Sequence, residues 1–203
     1  MLFRSYPWDG LVKLTLNLSQ PAAVTFRLRV PDWCRSHRLS VNGKAIEARV
    51  ERGYAVVERT WHRGDVITLE LAMAVERVEA HPLVDADMGR VALQRGPMIY
   101  CIEQADHATP VSQISLPADA ELSTTHHAEL LDGVTVIRGL AEKFDVTPWQ
   151  GKLYQFVNAP GTMTANRSED DRRIELRAIP YFAWDNRQPG PMTVWLAASK
   201  ASR

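Results

Sequence analysis

Apolar residues in this chain recur at every second position, in short runs, and not at helical spacing. In LVKLTLNL, Val12, Leu14, Leu16 and Leu18 alternate with Lys13, Thr15 and Asn17, which is the period of a strand with one wet face. AVTFRLRV repeats the pattern, with Val24, Phe26, Leu28 and Val30 on one side, and Pro31 closes it because proline cannot donate to a ladder. LSVNGKAI then places Asn42-Gly43 between two apolar runs, a pair that accepts the positive φ angles of a two-residue hairpin turn. YAVVERTW and VITLELAM follow on either side of Arg63-Gly64-Asp65. Short strands at this spacing, joined by polar turns, indicate a β-sandwich or barrel, and the expected fold is all-β, of two antiparallel β-sandwich, jelly-roll-like units.

Beyond His81-Pro82 the texture changes. A boundary placed between Leu83 and Met88 gives a first sandwich over residues 1–85 and a second over 86–203. GRVALQRGPMIYCIE predicts two strands broken at Gly96-Pro97, with a bulge around Gln94 and Arg95. From about Gln104 to Asp132 little regularity is visible, and strand-like pieces return at VTVIRG, LYQFV, RRIELRA and MTVWL. NAPGTMTANRSEDDR, residues 158–172, is rich in small and charged residues and reads as a mobile loop.

Composition removes several classes of function. The 203 residues can bury a proper core without staples. Lys plus Arg number 24 and Asp plus Glu number 24, so there is no basic excess to displace counterions from a nucleic acid. Cys34 and Cys101 are too few for a disulfide scaffold or a cysteine-built zinc site; the sequence leaves open a bond between them and a reading as two small buried thiols. No run approaches the roughly 18 apolar residues of a membrane span. MLFRSYPWDG also lacks the apolar stretch of a secretion signal, which predicts a soluble protein, cytoplasmic if the chain is complete.

Four segments together carry a resemblance: YPWDG at the front, the Asn-Gly hairpin, VALQRGPMIYC in the middle and IPYFAWDNRQPGPMTVWL at the end. The chain resembles, over nearly its whole length, the C-terminal region of the β-L-arabinofuranosidase family, glycoside hydrolase family 127. That resemblance implies β-sandwich domains which follow an (α/α) helical barrel. In the family the barrel carries the chemistry, with a zinc-bound cysteine nucleophile presented in a Cys-Cys pair, a Glu-x-Cys motif and a glutamate acid/base. Neither motif occurs here, and Cys34 and Cys101 each stand alone. No catalytic residue and no metal ligand is therefore carried over, no cofactor is expected in this chain, and zinc would belong to the barrel. The six histidines form no metal-binding helix motif.

Hydrolysis by a pair of carboxylates needs two acids about 5 to 9.5 Å apart, one of them with a raised pKa. Asp9, Asp65, Asp85, Asp87 and Asp185 are the candidates, but acids next to Gly or Pro usually bond their own backbone in turns. The tripeptide Arg63-Gly64-Asp65 matches an integrin motif and is also ordinary turn chemistry. The dense segment from Ile179 to Leu196 offers Tyr181, Trp184, Asp185 and Arg187 as aromatic faces flanked by polar groups, a composition suited to sugars. Competing with that, the aromatics can close the end of a sandwich or dock on a neighbouring domain. The expected role is a non-catalytic accessory region that braces a catalytic barrel or pairs with a second copy of itself. The alternative is a stand-alone module for arabinose-containing glycans.

Overall fold

The computed structural model describes residues 2–4, 6–154, 156 and 169–199. Its regular structure is nearly all strand, with a few single helical turns, and it divides into two units, residues 1–74 with 95–98 and residues 75–94 with 99–203. That division falls ahead of the expected break at residue 85. Among the described residues no helix is long and apolar enough to cross a membrane.

The first unit contains β1 (Leu2–Arg4), β2 (Leu11–Thr15), β3 (Ala22–Arg29), β4 (His37–Val41), β5 (Lys44–Ile46), β6 (Val50–Glu51), β7 (Tyr54–Trp61) and β8 (Val66–Leu71). These form a five-stranded antiparallel sheet in the order β1-β2-β8-β4-β5 and a three-stranded one in the order β3-β7-β6. One apolar cluster draws on both sheets, with Leu39, Ile67 and Leu69 from one and Leu28, Val57 and Trp61 from the other. This is the sandwich that the alternation predicts. Trp61 is fully buried, meets Phe26 edge to face at 5.1 Å, and donates its indole N–H to the Val24 carbonyl at 2.8 Å.

The turns of this unit obey local chemistry. Val41 pairs with Lys44 across Asn42 (φ 51°) and Gly43 (φ 76°), the two successive positive φ angles of a type I′ hairpin. Glu51 pairs with Tyr54 across Arg52 (φ 50°) and Gly53 (φ 78°) in the same way, although Arg-Gly is not a marked hairpin signal. Gly10 answers a different need, since a Cβ there would strike the carbonyl oxygen of Leu71, whose N–H bonds Gly10 O at 2.9 Å.

The second unit contains β9 (Val75–Val78), β10 (Arg90–Arg95), β11 (Met98–Glu103), β12 (Ile114–Pro117), β13 (Leu122–His127), β14 (Val134–Lys143), β15 (Arg173–Pro180), β16 (Met192–Thr193) and β17 (Leu196–Ser199). The order β11-β15-β14-β12-β17-β10, with β10 also pairing β11, returns to its start. The all-β expectation holds, and this unit closes into a six-stranded barrel, the form that short strands at this spacing leave open beside the sandwich. Closure removes free sheet edges, and the seam between β12 and β17 is a parallel pair.

Barrel closure also explains why the second unit was harder to read. In β11, Tyr100, Cys101 and Ile102 are all buried. Cys101 packs with Val134, Val136, Ile179 and Ala183 in a cluster of its own, while Tyr100 and Ile102 take the opposite face by strand alternation. β12 and β13 lie in the stretch from Gln104 to Asp132 that showed no regularity. Every residue of β12 is buried, so no wet face marks it. LYQFV is not a strand at its described positions, since Leu153, Tyr154 and Phe156 lie outside any element. MTVWL is broken at Val194-Trp195 between β16 and β17. Of the segment expected to be a mobile loop, residues 158–168 lie outside the described residues, and Glu169–Arg172 is a single helical turn.

Candidate functional site

The chemically densest place in the second unit is where β11 ends, and it was not legible as such. Glu103 closes the strand, a 3-10 turn at Gln104–Asp106 follows, and His107 leaves it. Arg177 comes from β15, and Arg187 arrives from the far end of the aromatic segment. The Arg187 guanidinium donates from Nη1 to Asp106 Oδ1 at 2.9 Å and from Nη2 to Asp106 Oδ2 at 2.6 Å. It also donates from Nε to Glu103 Oε2 at 3.1 Å and from Nη2 to the same oxygen. Arg177 Nη1 adds a contact to Asp106 Oδ1 at 3.2 Å, and the Asp185 N–H donates to Glu103 Oε1 at 3.1 Å.

Two carboxylates and two guanidiniums thus share one partly enclosed place, with the Glu103 and Asp106 side chains only 7% and 3% exposed. Charges this buried persist only when paired and hydrogen-bonded, and here each acid oxygen has a donor. Burial by itself pushes the Asp106 carboxyl up, but the Arg187 hydrogen bonds and the charges of Arg187 and Arg177 outweigh it and hold it below its ordinary value. The hydrogen bonds of Asp106 raise Arg187 above its ordinary value, with burial opposing and Glu103 assisting. A general acid needs a carboxyl held high. This is instead a clasp that favours the charged forms of Asp106 and Arg187.

Around it lie neutral supports. His107 is buried, its Nε2 accepts the Arg177 N–H at 3.2 Å, and its Nδ1 sits 2.8 Å from the Glu103 carbonyl. An acceptor at Nε2 and a carbonyl at Nδ1 require the proton on Nδ1. Gln104 donates to the carbonyls of His107 and Thr109 and accepts from the Val111 N–H.

The clasp fixes one end of the aromatic loop. After β15 the chain makes a 3-10 turn at Tyr181–Ala183, with the Trp184 N–H on the Tyr181 carbonyl at 3.1 Å. Asp185 sits at φ 62° and Asn186 Nδ2 reaches back to the carbonyls of Ala183 and Trp184. Tyr181 and Trp184 stack at 6.0 Å with an interplanar angle of 18°. They are 46% and 37% exposed, so within this unit they do not close a core. Ala183 between them is the residue that is buried. Of the four residues picked out in advance, Tyr181 and Trp184 therefore meet each other at the surface. Arg187 enters the clasp, and Asp185 joins it through its backbone N–H while its side chain stays outside. Glu103, Asp106, His107 and Arg177 were missed, because partners some 70 to 84 residues apart carry no local signature.

The remaining candidates are turn residues. Asp9 accepts the Leu11 N–H at 2.8 Å. Asp65 accepts from Asn42 Nδ2 and from the His62 N–H, both at 2.8 Å, and those bonds, the Asn42 one foremost, lower its pKa. Both its oxygens are thus occupied, one within its own turn and one by the Asn42-Gly43 hairpin, which speaks against the adhesion reading of Arg63-Gly64-Asp65. The residues present do not fit the zinc that the resemblance implies for the barrel. Cys34 Sγ contacts the Ser36 carbonyl at 3.0 Å, whereas the Cys101 thiol is pushed up to about 12 by burial and by the Glu103 charge. Among the described residues no group of three His, Cys, Asp or Glu side chains converges as a metal site.

Two family models account for nearly the whole chain. Residues 3–73 match the beta-L-arabinofuranosidase middle domain of glycoside hydrolase family 127, and residues 75–197 match the family 127 C-terminal domain. The chain belongs to glycoside hydrolase family 127. A non-reducing end beta-L-arabinofuranosidase of Bifidobacterium longum subsp. longum is 34% identical over 200 residues, covering 94% of this chain and 29% of that protein. A family 127 β-L-arabinofuranosidase from Geobacillus stearothermophilus T6 superposes with a TM-score of 0.87 at 39% identity, over 98% of this chain and 30% of the other. A further β-arabinofuranosidase structure of family 127 gives 0.81 at 31% identity, over 99% and 32%. The chain thus spans about 30% of the length of these relatives.

Proposed function

We propose that these two domains are the non-catalytic accessory part of a β-L-arabinofuranosidase-like glycoside hydrolase, and that they brace a catalytic barrel or mediate self-association. The observation that carries this reading is the tiling of the chain by the middle and C-terminal domain models, at 3–73 and 75–197, together with the absence of any Cys-Cys or Glu-x-Cys motif between residues 1 and 203. The clasp supports it, because its carboxylates are consumed by guanidiniums and a backbone N–H and so leave none to protonate a leaving group. Zinc, in this reading, is held by the barrel. The test is direct: the purified chain, given zinc and a reductant, releases no sugar above buffer from an aryl β-L-arabinofuranoside. Turnover by the chain alone would overturn the reading.

A second reading is favoured by one feature, the exposed stack of Tyr181 and Trp184. Near-parallel rings at the surface suit the C–H faces of a sugar, and the outward Asp185 carboxylate can accept from its hydroxyls. Arg187 then acts through the clasp and holds the loop in place. Calorimetric titration with arabinose-containing oligosaccharides should show binding that Trp184→Ala abolishes. Identical heats for wild type and variant would discard this platform.

A further inference from the structure

The connection leaving β14 carries apolar side chains that stand exposed among the described residues. Phe144 and Val146 are each 49% exposed and Trp149 is 44% exposed, while Leu153, Tyr154 and Phe156 are 88%, 90% and 86% exposed. Single exposed apolar residues are common and mean little, whereas six within thirteen positions of one connection is the pattern of a contact surface. Counting about 200 Å² for each fully exposed aromatic, the arm offers on the order of 700 Å² of apolar area, close to the roughly 800 Å² per partner of a standard interface.

The arm is built, not slack. The Phe144 N–H bonds the Gln113 carbonyl at 2.8 Å and fixes its root. Asp145 Oδ1 accepts the Thr147 N–H at 2.9 Å, a 3-10 turn covers Thr147–Trp149, and the Trp149 and Lys152 N–H groups bond Val146 O at 3.0 Å and Trp149 O at 2.9 Å. Gly151 at φ 72° redirects the chain into Lys152, Leu153 and Tyr154. A connection that spends local hydrogen bonds on an ordered turn, and then presents Leu153, Tyr154 and Phe156, has its ordering entropy largely met before any contact forms.

We propose that residues 144–154 together with Phe156 are a docking arm for the domain that precedes the middle domain in family 127 polypeptides. The proposal rests on the accessory reading above and names the surface through which that bracing works. Three observations choose this occupant. The chain spans about 30% of its relatives, whose remaining length supplies a protein surface far larger than the arm needs. Val146 and Leu153 are aliphatic and offer a glycan no hydrogen bonds, so the arm suits an apolar protein face. Asp145 and Lys152 cancel in charge, and an uncharged apolar face is typical of a permanent contact, here one within a single polypeptide, where the covalent link supplies a high effective concentration.

The experiment fuses this chain to the N-terminal part of the Geobacillus stearothermophilus relative, in place of that protein's own matching region, and compares hydroxyl-radical oxidation with the 203-residue chain alone. Oxidation at Leu153, Tyr154 and Phe156 should fall about tenfold in the fusion, in proportion to the lost exposure. A fusion that melts in one transition with the arm still reactive overturns the arm and leaves the accessory reading standing. An N-terminal part that melts independently of both units, with an unprotected arm, overturns the arm and the bracing half of the accessory reading. Protection already present in the chain alone, with a light-scattering mass of two chains, reassigns the arm to a second copy and overturns the proposal. If the fusion does not fold, co-expression replaces it. The tagged wild-type chain should then capture the relative's N-terminal part, and the Leu153→Ser/Tyr154→Ser/Phe156→Ser variant less than about a tenth as much. Equal capture overturns the arm, and capture by neither overturns the bracing half of the accessory reading with it.

Discussion

The first unit keeps its ion pairs on the exposed faces of its sheets, as Arg27–Glu51 and Arg38–Glu70 show, and reserves its interior for Leu28, Ile67 and Trp61. The second encloses Glu103 and Asp106 with two arginines, and leaves Leu153, Tyr154 and Phe156 in solvent. The two therefore allocate charge and apolar surface in opposite senses. A sandwich between two wet faces is finished when its apolar faces meet. A closed barrel carrying a long connection has further surface to satisfy, and here a charge clasp holds one loop while an apolar connection stays exposed.

The largest blow to the first unit is Trp61→Ala. The cavity should cost about 3–5 kcal/mol, and the loss of the bond to Val24 O about 1 kcal/mol more. Urea unfolding followed by near-ultraviolet dichroism should show the first unit melting well below the second, and a single shared transition would break the comparison by joining the two units thermodynamically.

Arg187→Met tests the opposite allocation. Breaking a buried pair from one side costs about 3–5 kcal/mol, because the remaining charge is stranded. The lower end, about 3 kcal/mol, is expected here, since Asp106 keeps Arg177 and Glu103 keeps the Asp185 N–H. Thermal unfolding of the variant should lower the second unit's transition and leave the first unchanged. An effect under about 1 kcal/mol would reduce the clasp to a surface pair.

Alkaline pH separates the units by a different lever. The Cys101 thiol is held at about 12 by burial, against about 8.5 for an unfolded cysteine. Above that lower value the unfolded chain loses a proton that the fold retains, so stability falls as pH rises, by about 1.4 kcal/mol per unit at most. By pH 10 the second unit should be weaker by about 2 kcal/mol, and Cys101→Ala should flatten that slope. An unchanged slope in the variant would place the alkaline sensitivity elsewhere.

How much of this was legible follows from the same contrast. Where one face is wet, as in β2 and β3, alternation announces both the strand and its core side, and Val12, Leu14 and Leu28 were placed from letters alone. Where both faces are buried, as in β12, the period disappears and the strand was missed. Arg187 was singled out among its aromatic neighbours, but its partners Glu103 and Asp106 were not, because convergence across more than eighty residues is a property of topology. LYQFV looked like a strand because its residues are apolar. Composition does not distinguish residues saved for a core from residues saved for a partner.

The smallest expected effect sharpens the comparison most. Leu153→Ser and Tyr154→Ser remove large apolar side chains, a change that in the first unit's core would cost several kcal/mol. At 88% and 90% exposure these side chains gain almost nothing from folding, so the chain's own unfolding free energy should shift by less than about 0.5 kcal/mol. Onset of aggregation on heating should move upward, because exposed apolar surface is what unlike copies adhere to. A loss of more than about 1 kcal/mol would mean that the arm packs on its own unit in solution, and the reversed allocation of apolar surface that separates the two units would then be confined to the clasp.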